Sequence, residues 1–277
     1  MNRLWINRWT LAGLYALAMG RAFLRLRDPR RRAAGRNLDE FHRRVWRQAA
    51  EALGGQCTVL SPDVMQITLN GACTRVFENV SAIDDPVTLR ILHDKVLTHK
   101  ILQAQNLPMP AYAAFTLRDM RPALAFLHAE ARDCVVKPAG GTGGGRGVST
   151  GIRSVYDLAR AAAAASVYSD ELLIEEQLAG DNYRLLYLDG RLIDAFIRRP
   201  PAVVADGRSS IVQLLHQAND QRLRHGSDMS QVLIAIDLDM RRTLARQGLS
   251  LRSVPAAGMP IQLKTIINEN CGVDNTT

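Results

Sequence analysis

Lysine is scarce in this chain of 277 residues: of 35 basic side chains only four are lysine, Lys95, Lys100, Lys137 and Lys264. Base composition of the gene accounts for the bias, yet each remaining lysine marks a place where a compact ammonium can matter more than a guanidinium fork. Cysteine is also sparse. Cys57, Cys73, Cys134 and Cys271 form no C-x-x-C pair, which argues against a zinc ribbon or a disulfide framework and suits a reducing, cytoplasmic compartment. The six histidines, His42, His93, His99, His128, His216 and His225, show no metal-ligand spacing and read as structural or surface residues. The apolar run Trp9–Gly20 stops at twelve residues, too short to span a bilayer. There is no internal repeat, and no low-complexity segment exceeds the alanine run Ala161–Ala165.

A composition of 47% hydrophobic and 22% charged residues is that of an ordinary globular protein, long enough for a core and two or three subdomains. The formal charge of +8 sits at one end. Residues 1–47 hold 12 arginines against 3 acids, so the body beyond them is nearly neutral. The basic balance therefore gives no argument for nucleic-acid binding by the body. Three readings of the N-terminal run stay open. It is a helix docked on the body or frayed, a helix resting on an acidic membrane surface, or a cleaved leader.

Along the chain, residues 1–37 form a basic arm. Leu38–Leu53 has helical spacing, closed by Gly54-Gly55. Three short strands follow, around Cys57–Leu60, Met65–Leu69 and Thr74–Phe77, with turns at Ser61-Pro62-Asp63 and Asn70-Gly71. Residues 38–85 thus make a small α/β entry domain. Residues 86–277 form the main domain, divided at 173/174. In it the spacing predicts one helix over Val87–Gln105, another over Arg118–Ala131, a strand at Cys134–Val136 and a helix over Ser154–Val167. A buried strand at Leu172–Ile174 comes next, then a hairpin of Tyr183–Leu188 and Leu192–Ile197 about Asp189-Gly190. Ile211–Leu223 reads as helix, Val232–Leu238 as strand, Met240–Gln247 as a helical turn and Ile261–Ile267 as a last strand.

The stretch Asp133–Ile152 organises the rest. A β-type run ends at Lys137, and six of the eight positions Gly140–Gly147 are glycine. Such a loop is entropically expensive and makes sense where backbone N–H groups close over an anion with a cation at the root. A plain hairpin tip is the bland alternative. The P-loop pattern fails, because Lys137 precedes the loop. The dinucleotide pattern fails as well, because Gly141 and Gly143 would require glycine at Arg146.

Further motifs lie in order between about Asp84 and Leu263. They are Asp94-Lys95-x-x-Thr98-x-x-x-Leu102, Asn106-Leu107-Pro108-x-Pro110, the VVKP start of the glycine loop, and Leu172-Leu173-Ile174-Glu175 with Gly180 and Tyr183-Arg184-Leu185-Leu186. Asp206-Gly207-Arg208-Ser209 and Leu244-Ala245-Arg246-Gln247-Gly248-Leu249 complete the series. With these the chain resembles the ATP-grasp superfamily of carboxylate–amine ligases, and within it the ligase part of cyanophycin synthetases. The resemblance implies an α+β, ATP-grasp fold in which two subdomains clasp ATP and the glycine loop closes over its phosphates. It assigns Lys95 and Lys137 to phosphate oxygens, with Gly141, Gly143, Gly144, Gly145 and Gly147 in the flap. Val135 would line the adenine slot, and Glu175, Glu176, Gln177 and Leu178 would form the hinge along adenine. Asn182 would reach the ribose, where an acid is usual. Arg184 and Arg198 would face the phosphate or acyl-phosphate region as catalytic cations.

The implied reaction activates a carboxylate with ATP and Mg²⁺, then joins it to an amine, the substrates being small molecules or peptides. The metal ligands are the gap in the pattern: neither Glu-x-Asn nor Asp-x-Asn occurs. Asn268-Glu269-Asn270 matches an earlier loop of the family, and Asp237 and Asp239 are expected to alternate on one face of a strand, where they either supply a carboxylate pair for a metal, away from the family's metal place, or form a solvated strand edge. The resemblance therefore suggests a chain truncated at its C-terminal end. Two other readings remain beside the ligase, a non-catalytic nucleotide-binding protein and an ATP-grasp small-molecule kinase.

Overall fold

The computed structural model describes residues 7–143, 145–224, 233–266 and 274–276. Two helices open the chain. α1 (Arg8–Leu26) starts at Asn7, whose side chain accepts from the Trp9 amide, and α2 (Pro29–Ala52) starts at Asp28 with proline in its first turn. Both caps satisfy amides that a helix start leaves open. α2 runs through the arm and the expected Leu38–Leu53 helix without a break. It packs on an antiparallel sheet of β1 (Gln56–Val59), β2 (Val64–Leu69) and β3 (Ala72–Phe77). Between β2 and β3, Asn70 and Gly71 take φ of 50° and 79°, the left-handed pair that a tight two-residue hairpin requires.

The helix expected over Val87–Gln105 is two helices, α3 (Pro86–Leu92) and α4 (Lys95–Ala104). The break has a local cause. The Asp94 carboxylate accepts from the Leu97 amide at 3.0 Å, and the backbone at Asp94 bridges to Gly140. Leaving the helix lets the chain dock on the glycine loop and restart as α4.

The central sheet has the order β4 (Tyr112–Thr116), β7 (Glu171–Glu176), β5 (Cys134–Pro138), β6 (Ser149–Ile152), and every pair is antiparallel. Alternation along its strands separates two faces. Cys134 and Val136 of β5 join Leu172 and Ile174 of β7 in the main core. α5 (Arg121–Ala129) and α6 (Val155–Ala165) cover that face, and the alanines of α6 permit close approach. Val135, Lys137, Leu173 and Glu175 point to the opposite face, where Val96 of α4 packs on Leu173 and Ala139.

Beyond this lie an exposed hairpin of β8 (Asn182–Leu188) and β9 (Arg191–Arg199), extended by β12 (Asp274–Thr276), and a two-stranded pair of β10 (Ala202–Val204) with β11 (Pro260–Gln262). A second core gathers Ile211, Leu214 and Leu215 of α7 (Ile211–Arg224), Met240 and Leu244 of α8 (Leu238–Arg246), and Ile261 and Leu263.

The strand expected at Val232–Leu238 is not formed. Val232 lies outside the described residues, Leu233–Asp237 is irregular, and Leu238 already begins α8. Asp237 is the N-cap of that helix, accepting from the Met240 amide at 3.0 Å, and also pairs with the buried Lys264. Of the strand expected at Ile261–Ile267, only β11 (Pro260–Gln262) forms among the described residues, and Ile267 lies outside them. Among the described residues, no helix is long and apolar enough to cross a membrane.

Candidate functional site

The root of the glycine loop draws together residues from three elements. Lys137 is the penultimate residue of β5, on the face away from the main core. Glu175 lies on the neighbouring strand opposite Val135, and its Oε1 accepts from Lys137 Nζ at 2.6 Å. Lys95 opens α4, and its amide donates to the Ala139 carbonyl at 2.8 Å, which fixes the helix start against the end of β5. Burial lowers the Lys95 pKa, the nearby Lys137 charge lowers it further, and Glu175 and Asp94 oppose the shift. Two ammonium groups and one carboxylate therefore share a partly desolvated face, with positive charge in excess.

His99 completes this cluster: of the structural and surface positions expected for the histidines, it takes a buried one, beside Glu175. It is buried on α4, with Nε2 3.7 Å from Glu175 Oε2 and its ring edge-on to Tyr112 at 4.6 Å. Burial lowers its pKa first and Lys137 second, while Glu175 pulls the other way. Neither His99 Nδ1 nor Glu175 Oε2 has a hydrogen-bond partner among the described residues. One signal was available. His99 is four residues after Lys95, so the two share a helix face.

The loop itself leaves the sheet at Gly140 and returns at Ser149. Gly147 has φ +77°, and a Cβ there would lie 2.8 Å from both Pro138 Cγ and Tyr168 Cδ2. Gly141 and Gly145 also take positive φ. At Gly143 a Cβ would meet nothing within 4 Å, so this part of the loop is open on its surroundings. Gly144 lies outside the described residues. A cleft of about 430 Å³ borders the loop root, lined by Arg90, His93, Asp94, Gly140 and Tyr168 among others.

The remaining expected residues are placed differently. Glu176 turns to the other side of β7, where its carboxylate accepts from Arg132 at 3.1 Å and from the Ala111 amide at 3.3 Å. The Gln177 amide donates to Asp133 O, and its side-chain oxygen accepts from the Gly151 amide at 2.7 Å, tying β6 to the segment after β7. Leu178 is exposed beside a second cleft that also includes Asp133, Arg153 and Gln177. Asn182, Arg184 and Arg198 belong to the β8–β9 sheet. Asn182 pairs with Arg198 and Arg184 with Phe196, so all four share one face, and the buried Arg198 guanidinium lies 5.7 Å from the Phe196 ring. The structure thus forms two groups, Lys95–Val135–Lys137–Glu175 on the central sheet and Asn182–Arg184–Arg198 on the hairpin sheet.

Asp237 and Asp239 do not form a solvated pair. Asp239 is 1% exposed and accepts from Thr150 Oγ1 at 3.0 Å, the Thr265 amide at 3.0 Å and the Ile266 amide at 3.3 Å. Asp237 answers a free amide at the start of α8, while Asp239 bridges β6 to the backbone at Thr265 and Ile266. Asn268-Glu269-Asn270 lies outside the described residues. Among the described residues, no group of three or more His, Cys, Asp or Glu side chains is placed to hold a metal ion. Among the described residues, the excess of positive charge at the loop root fits an anionic ligand, and no all-protein cage for a metal stands beside it.

No family model matches the chain. It is 32% identical to the cyanophycin synthetase of Trichormus variabilis over 189 residues, 66% of this chain and 20% of that protein. It is 30% identical over 201 residues to the bifunctional glutathione biosynthesis protein GshAB of Pasteurella multocida, covering 71% of this chain and 26% of the relative. The crystal structure of the bifunctional glutathione synthetase from Pasteurella multocida covers 80% of this chain and 30% of its own, at 27% identity and a TM-score of 0.44. These relatives support the ATP-grasp superfamily for the matched two thirds of the chain, whose own elements are mixed helices and antiparallel sheets. The chain spans about a fifth to a quarter of the length of these curated relatives.

Proposed function

We propose that this chain binds ATP at the root of the glycine loop and serves as the nucleotide-binding part of a carboxylate–amine ligase. The observation that carries the reading is the convergence of Lys137, Lys95 and Glu175 beneath a glycine loop that is open at Gly143. Bound ATP would supply a transferable phosphoryl group. Lys95 and Lys137 would hold its phosphate oxygens as desolvated cations, where charge-assisted hydrogen bonds are strong. Val135 and the segment Glu175–Leu178 would border the base, with Asn182 toward the ribose. In this reading Gly141, Gly143, Gly144, Gly145 and Gly147 form the covering flap.

Arg184 and Arg198 share one face of the hairpin sheet, and in this reading they stabilise charge on the reacting carboxylate and phosphoryl group. The substrates would be a small-molecule or peptide carboxylate and an amine, as the names of the relatives suggest: cyanophycin synthetase and a glutathione biosynthesis protein. No step is assigned to Mg²⁺, because no group of three or more His, Cys, Asp or Glu side chains among the described residues is placed to hold a metal.

Calorimetric titration of the purified chain with ATP tests the proposal. Binding should be saturable, and Lys137→Ala should weaken it by about tenfold or more, the worth of one hydrogen bond to a charged group. Unchanged affinity in a folded Lys137→Ala protein would remove the claim. ADP release should require both a carboxylate and an amine. Release with the carboxylate alone would turn the reading toward a kinase.

A further inference from the structure

Helix α1 is apolar on two sides, and only one of them is used. Leu11, Leu14, Ala18, Ala22 and Arg25 recur at spacings of three and four and face the body against α6. Leu11 packs on the main core, and Arg25 donates to the Ile236 carbonyl at 2.7 Å. This seam fixes the rotation of the helix. The opposite side then presents Trp9, Leu17, Met19, Phe23, Leu24 and Leu26 to solvent, with Trp9 84% and Leu26 75% exposed. Nothing charged occurs between Arg8 and Arg21. At 3.6 residues per turn these side chains spread over an arc of roughly 200°. A helix that is hydrophobic all round ordinarily has apolar surroundings on every side. Here the body supplies only one side.

The charges around this face indicate what covers it. Arg8 stands at one end. Arg21, Arg27, Arg32 and Arg36 are exposed at or beyond the other, and Asp28 is the only acid before Asp39. The Arg27 guanidinium lies 4.3 Å from the Phe23 ring, which holds a cation at the border of the apolar face. A second copy of the chain would bring two such arginine sets together with no acid on the face to answer them. An anionic lipid surface answers both features, taking apolar side chains below its headgroups and guanidinium groups at its phosphates. Trp9 and Tyr15 are residue types that favour this boundary. The helix has 19 residues and lacks the apolar length to cross a bilayer, so its fit is along the surface. We propose that the outward face of α1 lies in the headgroup boundary of an anionic bilayer and seats the protein there.

Co-sedimentation of the full chain with phosphatidylcholine vesicles, with and without phosphatidylglycerol, tests this independently of nucleotide binding. The chain should sediment with the anionic vesicles, bind pure phosphatidylcholine about tenfold or more weakly, and be released by salt. The double variant Leu17→Glu/Leu24→Glu alters only exposed positions. It should lose vesicle binding while keeping its unfolding temperature and its helical circular dichroism. Arg21→Gln/Arg27→Gln should weaken binding to anionic vesicles alone. The proposal is overturned if the chain binds neither kind of vesicle, or if Leu17→Glu/Leu24→Glu binds as well as the parent. It is equally overturned if the parent is a dimer that this variant disperses, since a second copy would then cover the face.

Discussion

Lys137 Nζ lies 2.6 Å from Glu175 Oε1, across two strands whose other faces form the core. The same carboxylate also opposes the burial-driven depression of the Lys95 pKa. Glu175→Ala would leave two neighbouring ammonium groups with only Asp94 to oppose the shift at Lys95. The side chains of Lys137 and Glu175 are 18% and 12% exposed, so some solvent screening remains. The expected cost is about 2 to 3 kcal/mol, read by urea denaturation at neutral pH. Lys137→Met in the same background should recover part of it. A cost below about 0.5 kcal/mol would mean that the pair is only a surface contact.

His99 should make the fold acid-sensitive. Its folded pKa is lowered, by burial first and by Lys137 second, with Glu175 opposing. The unfolded chain therefore takes up a proton at a pH where the folded one does not. Stability is fully present above the unfolded value of about 6.5 and is lost as pH falls below it. His99→Gln should flatten the decline of unfolding free energy between about pH 6.5 and 5, where one proton contributes up to about 1.4 kcal/mol per pH unit. Equal slopes for parent and variant over that window would contradict the assignment.

What the sequence made legible was local in origin. The turns at Asn70-Gly71 and Asp189-Gly190 are readable because two-residue hairpins demand positive φ at both positions, and all four residues have it. The lysine-and-glycine signature at Lys137–Gly147 is contiguous in the chain, and it does stand where the cations converge. Strand β4 left no such mark, since Tyr112-Ala113-Ala114-Phe115-Thr116 becomes a strand by pairing with β7 far along the chain. His99 escaped notice because its setting depends on Glu175, a residue from another element. Asp237 and Asp239 misled by period. Alternation with Ile236 and Leu238 imitates a strand, while the amides that claim these carboxylates come from a helix start and from Thr265 and Ile266.

Within the glycine loop, two neighbours should respond differently to the same substitution. Gly147→Ala places a Cβ at positive φ and 2.8 Å from Pro138 and Tyr168 atoms, which should cost about 2 kcal/mol or more. Gly143→Ala meets nothing within 4 Å and should stay within about 0.5 kcal/mol of the parent. Thermal unfolding of both variants decides the matter. Equal losses would mean that the loop is held uniformly rather than pinned at its return to β6.

Asp239 offers the sharpest separation between a metal ligand and a structural carboxylate. Its oxygens accept from Thr150 on β6 and from the Thr265 and Ile266 amides, joining the central sheet to the second core. Arg246 reinforces the junction by donating to the Thr150 carbonyl at 2.9 Å. Asp239→Asn keeps the shape but removes the charge, and turns one acceptor into a donor against groups that themselves donate. Loss of charge-assisted bonds at a buried site should cost about 2 to 3 kcal/mol. Because the cost comes from protein donors, it should be the same with and without added Mg²⁺ in chemical denaturation. A metal ligand would behave otherwise: the parent would gain stability with Mg²⁺ and the variant would not. That outcome would return Asp239 to the candidate metal set, and a Mg²⁺-independent loss would fix it as the clasp between the two halves of the main domain.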